Sequence, residues 1–265
     1  MDNILEVKNL TMDFGGLRAL NNVSLRIQRG KIAALIGPDG AGKTTLFNCL
    51  TGIYKSTDGN ILLYPPGGKE TKLNGLKINT IRELGVARTF QNIRLFGGMT
   101  ALENVMIGRH SRFKSGIFGA IFRPPATRSE EKIIVDKSCA LLEYIGLAPY
   151  MNELAKNLPY GAQRRLEIAR ALATDPHLLL LDEPATGMNP QETNELDALI
   201  TQLRTDYNLS ILLIEHNMKL VMNLAQSIFV LDYGEKIACG TPQEIRHNPA
   251  VIKAYLGGEV DAEVS

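Results

Sequence analysis

The sequence predicts an α/β fold: a mixed sheet with flanking helices, joined by an antiparallel β subdomain and a helical subdomain. Three observations predict it. First, the apolar run Ile32-Ala33-Ala34-Leu35-Ile36 leads into Gly37-Pro38-Asp39-Gly40-Ala41-Gly42-Lys43-Thr44 and on into Thr45-Leu46-Phe47-Asn48-Cys49-Leu50, before Gly52. That order reads as buried strand, glycine turn and short helix. Second, four consecutive leucines, Leu178 to Leu181, end in Asp182-Glu183-Pro184, as fits a strand buried on both faces of a parallel sheet. Third, Ile211-Leu212-Leu213-Ile214 repeats the pattern and ends in Glu215-His216. Open α/β sheets place their ligands at such carboxyl strand ends.

Residues 37–44 match G-x-x-x-x-G-K-[ST], a phosphate-binding pattern. Its glycines let consecutive backbone N–H groups converge on phosphate oxygens, and the helix behind them adds its partial positive charge. Lys43 is placed to reach the β- and γ-phosphates, and the Thr44 hydroxyl to ligate Mg²⁺. An unpaired buried carboxylate pair is costly, which makes a metal ion the expected partner of Asp182 and Glu183.

Composition excludes several classes. The chain has 265 residues, 45% of them hydrophobic, enough for a sizeable core. Its formal charge of +1 gives no global electrostatic case for nucleic acid or an anionic membrane surface. The opening Met1-Asp2-Asn3 lacks the basic and long apolar regions of a signal peptide, and no apolar stretch approaches the ~20 residues of a membrane span. Scattered Cys49, Cys139 and Cys239 suit a reducing compartment, and no Cys/His cluster has zinc-ligand spacing.

In chain order, Ile4–Leu10 and Val23–Ile27 alternate in part and read as strands, with Gln28–Lys31 turning the second into the strand of the phosphate loop. Between them stands Phe14-Gly15-Gly16-Leu17. An aromatic there suits either stacking on a base or a place in the core beside a glycine turn. Residues 53–80, rich in Gly and Pro, read as short strands and loops. Val86-Ala87-Arg88-Thr89-Phe90 reads as a strand ending at Gln91. Residues 98–157 read as mostly helical, with Ile134, Leu141, Leu142 and Ile145 near one face of a helix starting around Ser129. Ahead of that helix, residues 113–125 are apolar and aromatic with Arg and Lys at hand, as suits a docking surface for a partner or a flap on the chain's own domain. Pro159 opens a helix carrying Leu166, Ala169, Leu172 and Ala173 along one side. Asn189-Pro190-Gln191-Glu192 supplies a cap, a first-position Pro and a Glu at the third position to a helix bearing Leu196, Leu199, Ile200 and Leu203. Phe229–Leu231 and Lys236–Ala238 form a hairpin around Asp232–Glu235. Short helices from Pro242 precede a polar, acidic end that frays.

Together these elements resemble the nucleotide-binding subunits of ABC transporters over nearly the whole chain. The resemblance implies an ABC ATPase core of the P-loop NTPase type. Residues 1–92 and 160–240 form the core with its N-terminal antiparallel β subdomain, 93–159 the helical subdomain, and 241–265 a tail. It also implies ATP and Mg²⁺ as ligands. Phe14 resembles the aromatic that stacks on adenine, and Gly37, Pro38, Asp39, Gly40, Ala41, Gly42, Lys43, Thr44 and Thr45 form the phosphate loop. Gln91 resembles the glutamine that senses γ-phosphate, metal and membrane subunit. Leu158, Pro159, Tyr160, Gly161, Ala162 and Gln163 occupy the place of the signature that meets the nucleotide of a second subunit. Thr44, Gln91 and Asp182 fall at metal-binding positions. Glu183 falls at that of the catalytic base, residues 185–189 at that of the loop crossing the dimer interface, and His216 at that of the switch histidine. A head-to-tail dimer enclosing two ATP molecules follows from the same resemblance.

Within the family the likeness is to ATPases of bacterial branched-chain amino acid importers. It rests on residues 14–17, Ala87 to Asn92, the insertion at 113–125, Gln163 to Arg170 and Gly240-Thr241-Pro242. It implies a second ATPase subunit, two integral-membrane permeases, an indirect periplasmic solute-binding protein, no nucleic acid, and a peripheral place on the cytoplasmic face of the inner membrane. Three departures stand out. Asp39 replaces Asn in the phosphate loop, and its carboxylate has to point away from phosphates. Pro159, Tyr160 and Ala162 alter the usual Leu-Ser-Gly-Gly-Gln. Asn189 replaces Asp in the crossing loop. The loss of a hydroxyl and an N–H at Pro159 weakens the composite ATP site that uses this signature. Export of lipopolysaccharide, another polar solute, an ABC ATPase of DNA repair or translation, and a regulatory subunit with little turnover are the rival readings. A single motif set without sustained heptads disfavours the DNA and ribosome reading, and intact Glu183 and His216 disfavour the regulatory one.

Overall fold

A computed structural model describes residues 2–110 and 125–260. Two sheets organise it. The antiparallel sheet has the order β2-β1-β4-β5, built from β1 (Asn3–Phe14), β2 (Leu17–Gln28), β4 (Asp58–Leu63) and β5 (Thr71–Lys72). The turn between β1 and β2 is the glycine pair after Phe14, and both strands run longer than their alternation indicates. The mixed sheet has the order β10-β9-β3-β8-β7-β6. Here β3 (Ile32–Ile36), β6 (Val86–Arg88), β7 (Leu178–Asp182), β8 (Ser210–Ile214) and β9 (Ser227–Asp232) pair in parallel, while β10 (Glu235–Gly240) returns antiparallel on β9.

The unbroken apolar runs have a direct cause in this sheet. Along β7, Leu179 and Leu181 join the core on the helical side, while Leu178 and Leu180 join the core facing the antiparallel sheet. Along β8, Ile211 and Leu213 divide from Leu212 and Ile214 in the same way. Neither face of these strands meets water, so no polar residue alternates in.

Helices cover the sheet. After β3 comes α1 (Lys43–Leu50), and α2 (Ile78–Glu83) precedes β6. The latter is six residues long and begins inside the stretch 53–80 read as short strands and loops; so short a helix carries too little periodicity to be seen. Next come α3 (Ala101–His110) and α4 (Pro125–Tyr144), the latter beginning before the Ser129 start expected from its apolar face, then short 3-10 turns at Ala148–Tyr150 and Ala155–Asn157. Ile134, Leu141, Leu142 and Ile145 are buried as expected. The helix α5 (Tyr160–Leu172) crosses α3 closely: a Cβ on Gly108 would stand 2.4 Å from the Arg170 carbonyl oxygen, so only glycine fits there. The capping box opening α6 (Pro190–Asp206) is complete, with Asn189 accepting from the Glu192 N–H and Glu192 from the Asn189 N–H. The chain closes with α7 (Met218–Leu224), α8 (Pro242–Arg246) and α9 (Pro249–Val260). The strand expected over Val86–Phe90 stops at Arg88. The apolar insertion at 113–125, but for its last residue, and the acidic end beyond 260 lie outside the described residues. Among the described residues no helix is long and apolar enough to cross a membrane.

Candidate functional site

The carboxyl ends of β3, β7 and β8 bring the motifs together. Parallel pairing of β3 with β8, and of β8 with β7, sets the phosphate loop, Asp182-Glu183 and Glu215-His216 side by side. A cleft of about 620 Å³ opens there, lined among others by Phe14, Gly40, Lys43, Thr45, Gln91 and His216. Gly37 has φ +150°, and a Cβ there would stand 2.0 Å from the Leu231 carbonyl oxygen. The loop therefore folds tightly over β9 only with glycine at that position. Gly40 and Gly42 take left-handed φ of +78° and +97°, and Gly42 is the N-cap of α1. Pro38 and Ala41 complete the turn, with the Ala41 N–H donating to the Pro38 oxygen at 3.2 Å.

Lys43 is buried and donates to the carbonyl oxygens of Gly37 at 2.7 Å and Pro38 at 2.8 Å. Burial pushes its pKa below the usual lysine range, against the opposing pull of Asp39, Glu183 and Asp182. Thr44 is exposed and Thr45 half-buried. Asp39 points into solvent, with an oxygen 3.7 Å from His216 Nε2. Phe14 is exposed, lines the cleft and makes a T-shaped contact with Tyr54, with ring centroids 5.1 Å apart. Its exposure on the cleft fits base stacking better than a place in the core.

Glu183 is the hub. It stands in left-handed backbone, φ +47°, and its N–H donates to the Ile214 oxygen at 2.9 Å. One carboxylate oxygen lies 3.1 Å from His216 Nε2; the other accepts from Gln91 Nε2 at 3.0 Å and from the Thr186 hydroxyl at 3.2 Å. A strained backbone at a strand end is common where a side chain has to be aimed.

The premise that the two carboxylates lack partners within the chain does not hold. Asp182 is paired by Arg88, whose Nη2 donates to its Oδ2 at 2.7 Å, with both side chains almost wholly buried. Glu183 is answered by Gln91, His216 and Thr186. The chain therefore supplies its own partners, and a metal would add to them.

Leu158 is buried, and its carbonyl oxygen accepts from Gln163 Nε2 at 2.8 Å. Pro159 is the N-cap of α5, without a capping side-chain bond, and Gly161 and Ala162 are buried at the helix start. Tyr160, a departure from the usual signature, ties the region together: its hydroxyl donates to the Thr186 oxygen at 2.9 Å and accepts from Arg164 Nε at 3.1 Å. Arg164, buried, also donates to the carbonyl oxygens of Phe90 and Gln91. The start of α5, the loop at 185–189 and Gln91 are thus linked within one chain.

Sequence reasoning missed Arg88, Arg164 and Glu215. Glu215 is buried and accepts from the N–H groups of Ala185, His216 and Asn217, so it fastens the loop after β7 to that after β8; burial pushes its carboxyl pKa up. A charged residue inside or beside an apolar strand was the available signal in each strand case. The partner of Arg88, however, lies on a strand adjacent only in space, and the distant partner of Glu215 lies in the loop after that strand.

Known proteins share this chain's sequence and fold along most of its length. The profile of the ABC transporter family matches residues 20–186, and that of the branched-chain amino acid ATP-binding cassette transporters matches residues 235–261. The high-affinity branched-chain amino acid transport ATP-binding protein LivG of Salmonella typhimurium is 52% identical over 254 residues, covering 96% of this chain and 98% of that protein. Its counterpart BraF of Pseudomonas aeruginosa is 49% identical over the same span and coverage. The crystal structure of MJ1267 in its ADP conformation, an ATP-binding cassette of an ABC transporter, superposes with a TM-score of 0.83 at 28% identity, over 97% of this chain and 100% of that one. The phosphate loop, the carboxylate pair and the histidine thus sit in a fold and a sequence shared along almost the full length: the chain belongs to the ABC transporter family and is one of its ATPases.

Proposed function

We propose that this ATPase powers a bacterial importer of branched-chain amino acids from the cytoplasmic face of the inner membrane, together with two permease subunits, a second ATPase and, indirectly, a periplasmic solute-binding protein. The observation that carries the catalytic reading is the convergence of Gln91, His216 and Thr186 on Glu183 beside the phosphate loop. The likeness to LivG and BraF supports the cargo.

ATP suits the cleft: its lining includes the glycine backbone and Lys43 for the phosphates and Phe14 for the base. Among the described residues no group of three His, Cys, Asp or Glu has metal-binding geometry. A metal held here takes most of its ligands from phosphate and water, which is how Mg²⁺ behaves. Thr44, Asp182 and Gln91 are the residues that would hold it. Bound Mg²⁺ supplies neutralisation of the β- and γ-phosphate charge. Lys43 and the loop amides hold the triphosphate in line. Glu183 orients the attacking water and takes its proton, and His216 bonds the γ-phosphate and keeps Glu183 aligned. Gln91 lies between Glu183 and the helical segment 93–159, which we take as the subdomain facing the permease.

A second groove, of about 580 Å³, runs between α2 and that segment, with Ile53, Ile78 and Phe96 exposed and Arg82, Arg94 and Arg170 around it. Apolar surface rimmed by cations suits a cytoplasmic segment of a permease. Co-purification from native membranes in mild detergent tests the whole reading. Two permeases and a second ATPase are expected; an export channel, or ribosomal and nucleic-acid proteins without a membrane subunit, would overturn the cargo or the task.

The two ATP sites are unequal in this reading. Pro159 offers no hydroxyl, and the Tyr160 hydroxyl is engaged by Thr186 of its own chain. Nucleotide trapping in the assembled complex is expected to occur preferentially at the site completed by the partner's signature; equal trapping at both would contradict it.

A further inference from the structure

Arg88 holds the buried carboxylate of Asp182 in a way that no motif records. Its guanidinium bridges two elements of the site. Nη2 reaches Asp182 Oδ2 at the end of β7, and Nη1 reaches Asn48 Oδ1 in α1, each at 2.7 Å. Phe47 and Phe90 flank the group, with their ring centroids 5.4 and 5.0 Å from its central carbon. Its Nε is buried without a hydrogen-bond partner among the described residues. An unpaired buried donor is costly, so the packing favours aiming the two Nη groups over satisfying the third nitrogen. Neighbouring Thr89 supplies the acceptor for the Asp182 N–H at 3.3 Å, so one short segment fixes both the backbone and the side chain of Asp182.

We propose that Arg88 is a positioning residue for the metal carboxylate: by fixing one oxygen of Asp182 against α1, it leaves the other set for the Mg²⁺ shell of bound ATP. The proposal rests on the reading of Asp182 as a metal-site residue. Groups that orient a metal ligand through hydrogen bonds change metal affinity by about 10–100-fold when removed. A lysine keeps the charge but is a single point donor without the planar fork, so it cannot serve Asn48 and Asp182 with two separate nitrogens.

The test is equilibrium binding of a fluorescent ATP analogue to the purified full chain, in EDTA and across a MgCl₂ titration, for the parent and for Arg88→Lys, Asn48→Ala and Asp182→Asn. Asp182→Asn and Arg88→Lys are expected to raise the Mg²⁺ midpoint about tenfold, and Asn48→Ala by a smaller factor, while affinity in EDTA stays unchanged. A merely structural role would lower both affinities together, which overturns the proposal. A shift in Asp182→Asn with none in Arg88→Lys or Asn48→Ala also overturns it and leaves the metal reading standing. An unshifted Asp182→Asn removes the metal reading and the proposal with it. Should Arg88→Lys fail to fold, Asn48→Ala decides, because it keeps the buried ion pair.

Discussion

Glu183→Gln is expected to reduce ATP turnover by about 10²–10⁴-fold, the usual contribution of a positioned general base, or roughly 3–5 kcal/mol in the barrier, while ATP binding survives. The substitution is nearly isosteric. Its carbonyl oxygen still accepts and its amide still donates, so Gln91, Thr186 and His216 keep a partner in the hub. The left-handed backbone and its bond to Ile214 do not depend on the charge. What is lost, on the proposed mechanism, is the basic oxygen that would take a proton from water. Removing a negative charge near the triphosphate cannot weaken ATP electrostatically, so the ATP-bound state is expected to accumulate. Phosphate release and nucleotide binding, measured side by side, check this. Turnover within tenfold of the parent would place the base elsewhere.

The same hub shows what the sequence made legible. The strands β3, β7 and β8 announce themselves because burial on both faces removes every polar residue from Ile32–Ile36, Leu178–Leu181 and Ile211–Ile214. Their ends carry the loop, the carboxylates and the histidine, and the order of those motifs along the chain is enough to name the family. Which strand lies beside which was not legible. Arg88 reads as an isolated charge in a short strand, and its meaning depends on β6 lying next to β7, paired across 92 positions where Arg88 faces Leu180. Tyr160 likewise reads only as a departure from the usual signature, and its bond to Thr186 spans 26 positions. Local pattern reports burial and caps, as at Asn189-Glu192, whereas pairing between distant strands and loops arises only from tertiary packing.

Replacing Lys43 by Met tests the other half of the site, and loss of ATP affinity by about 10²-fold is expected from removal of a charged donor together with its neutralising effect. Lys43 stands among Asp39, Glu183 and Asp182, which pull its pKa up, while burial, the larger influence, pulls it down. Without the ammonium the loop loses the buried positive charge that would meet the incoming phosphates, and the Gly37 and Pro38 oxygens lose their donor. Phosphoryl transfer depends on positioning and charge stabilisation more than on covalent chemistry, so turnover should fall below detection even at saturating ATP. The fold should persist, because Met occupies the same channel at no cost in burying a charge. An unchanged melting temperature with lost binding is therefore the expected pair of results. Lys43→Arg separates charge from shape: a planar fork is wider than an ammonium that fits between two carbonyls 2.7 and 2.8 Å away, so it should recover little of the lost affinity. Full recovery by Arg would mean that charge alone governs the loop, and that the bonds to Gly37 and Pro38 do not shape it.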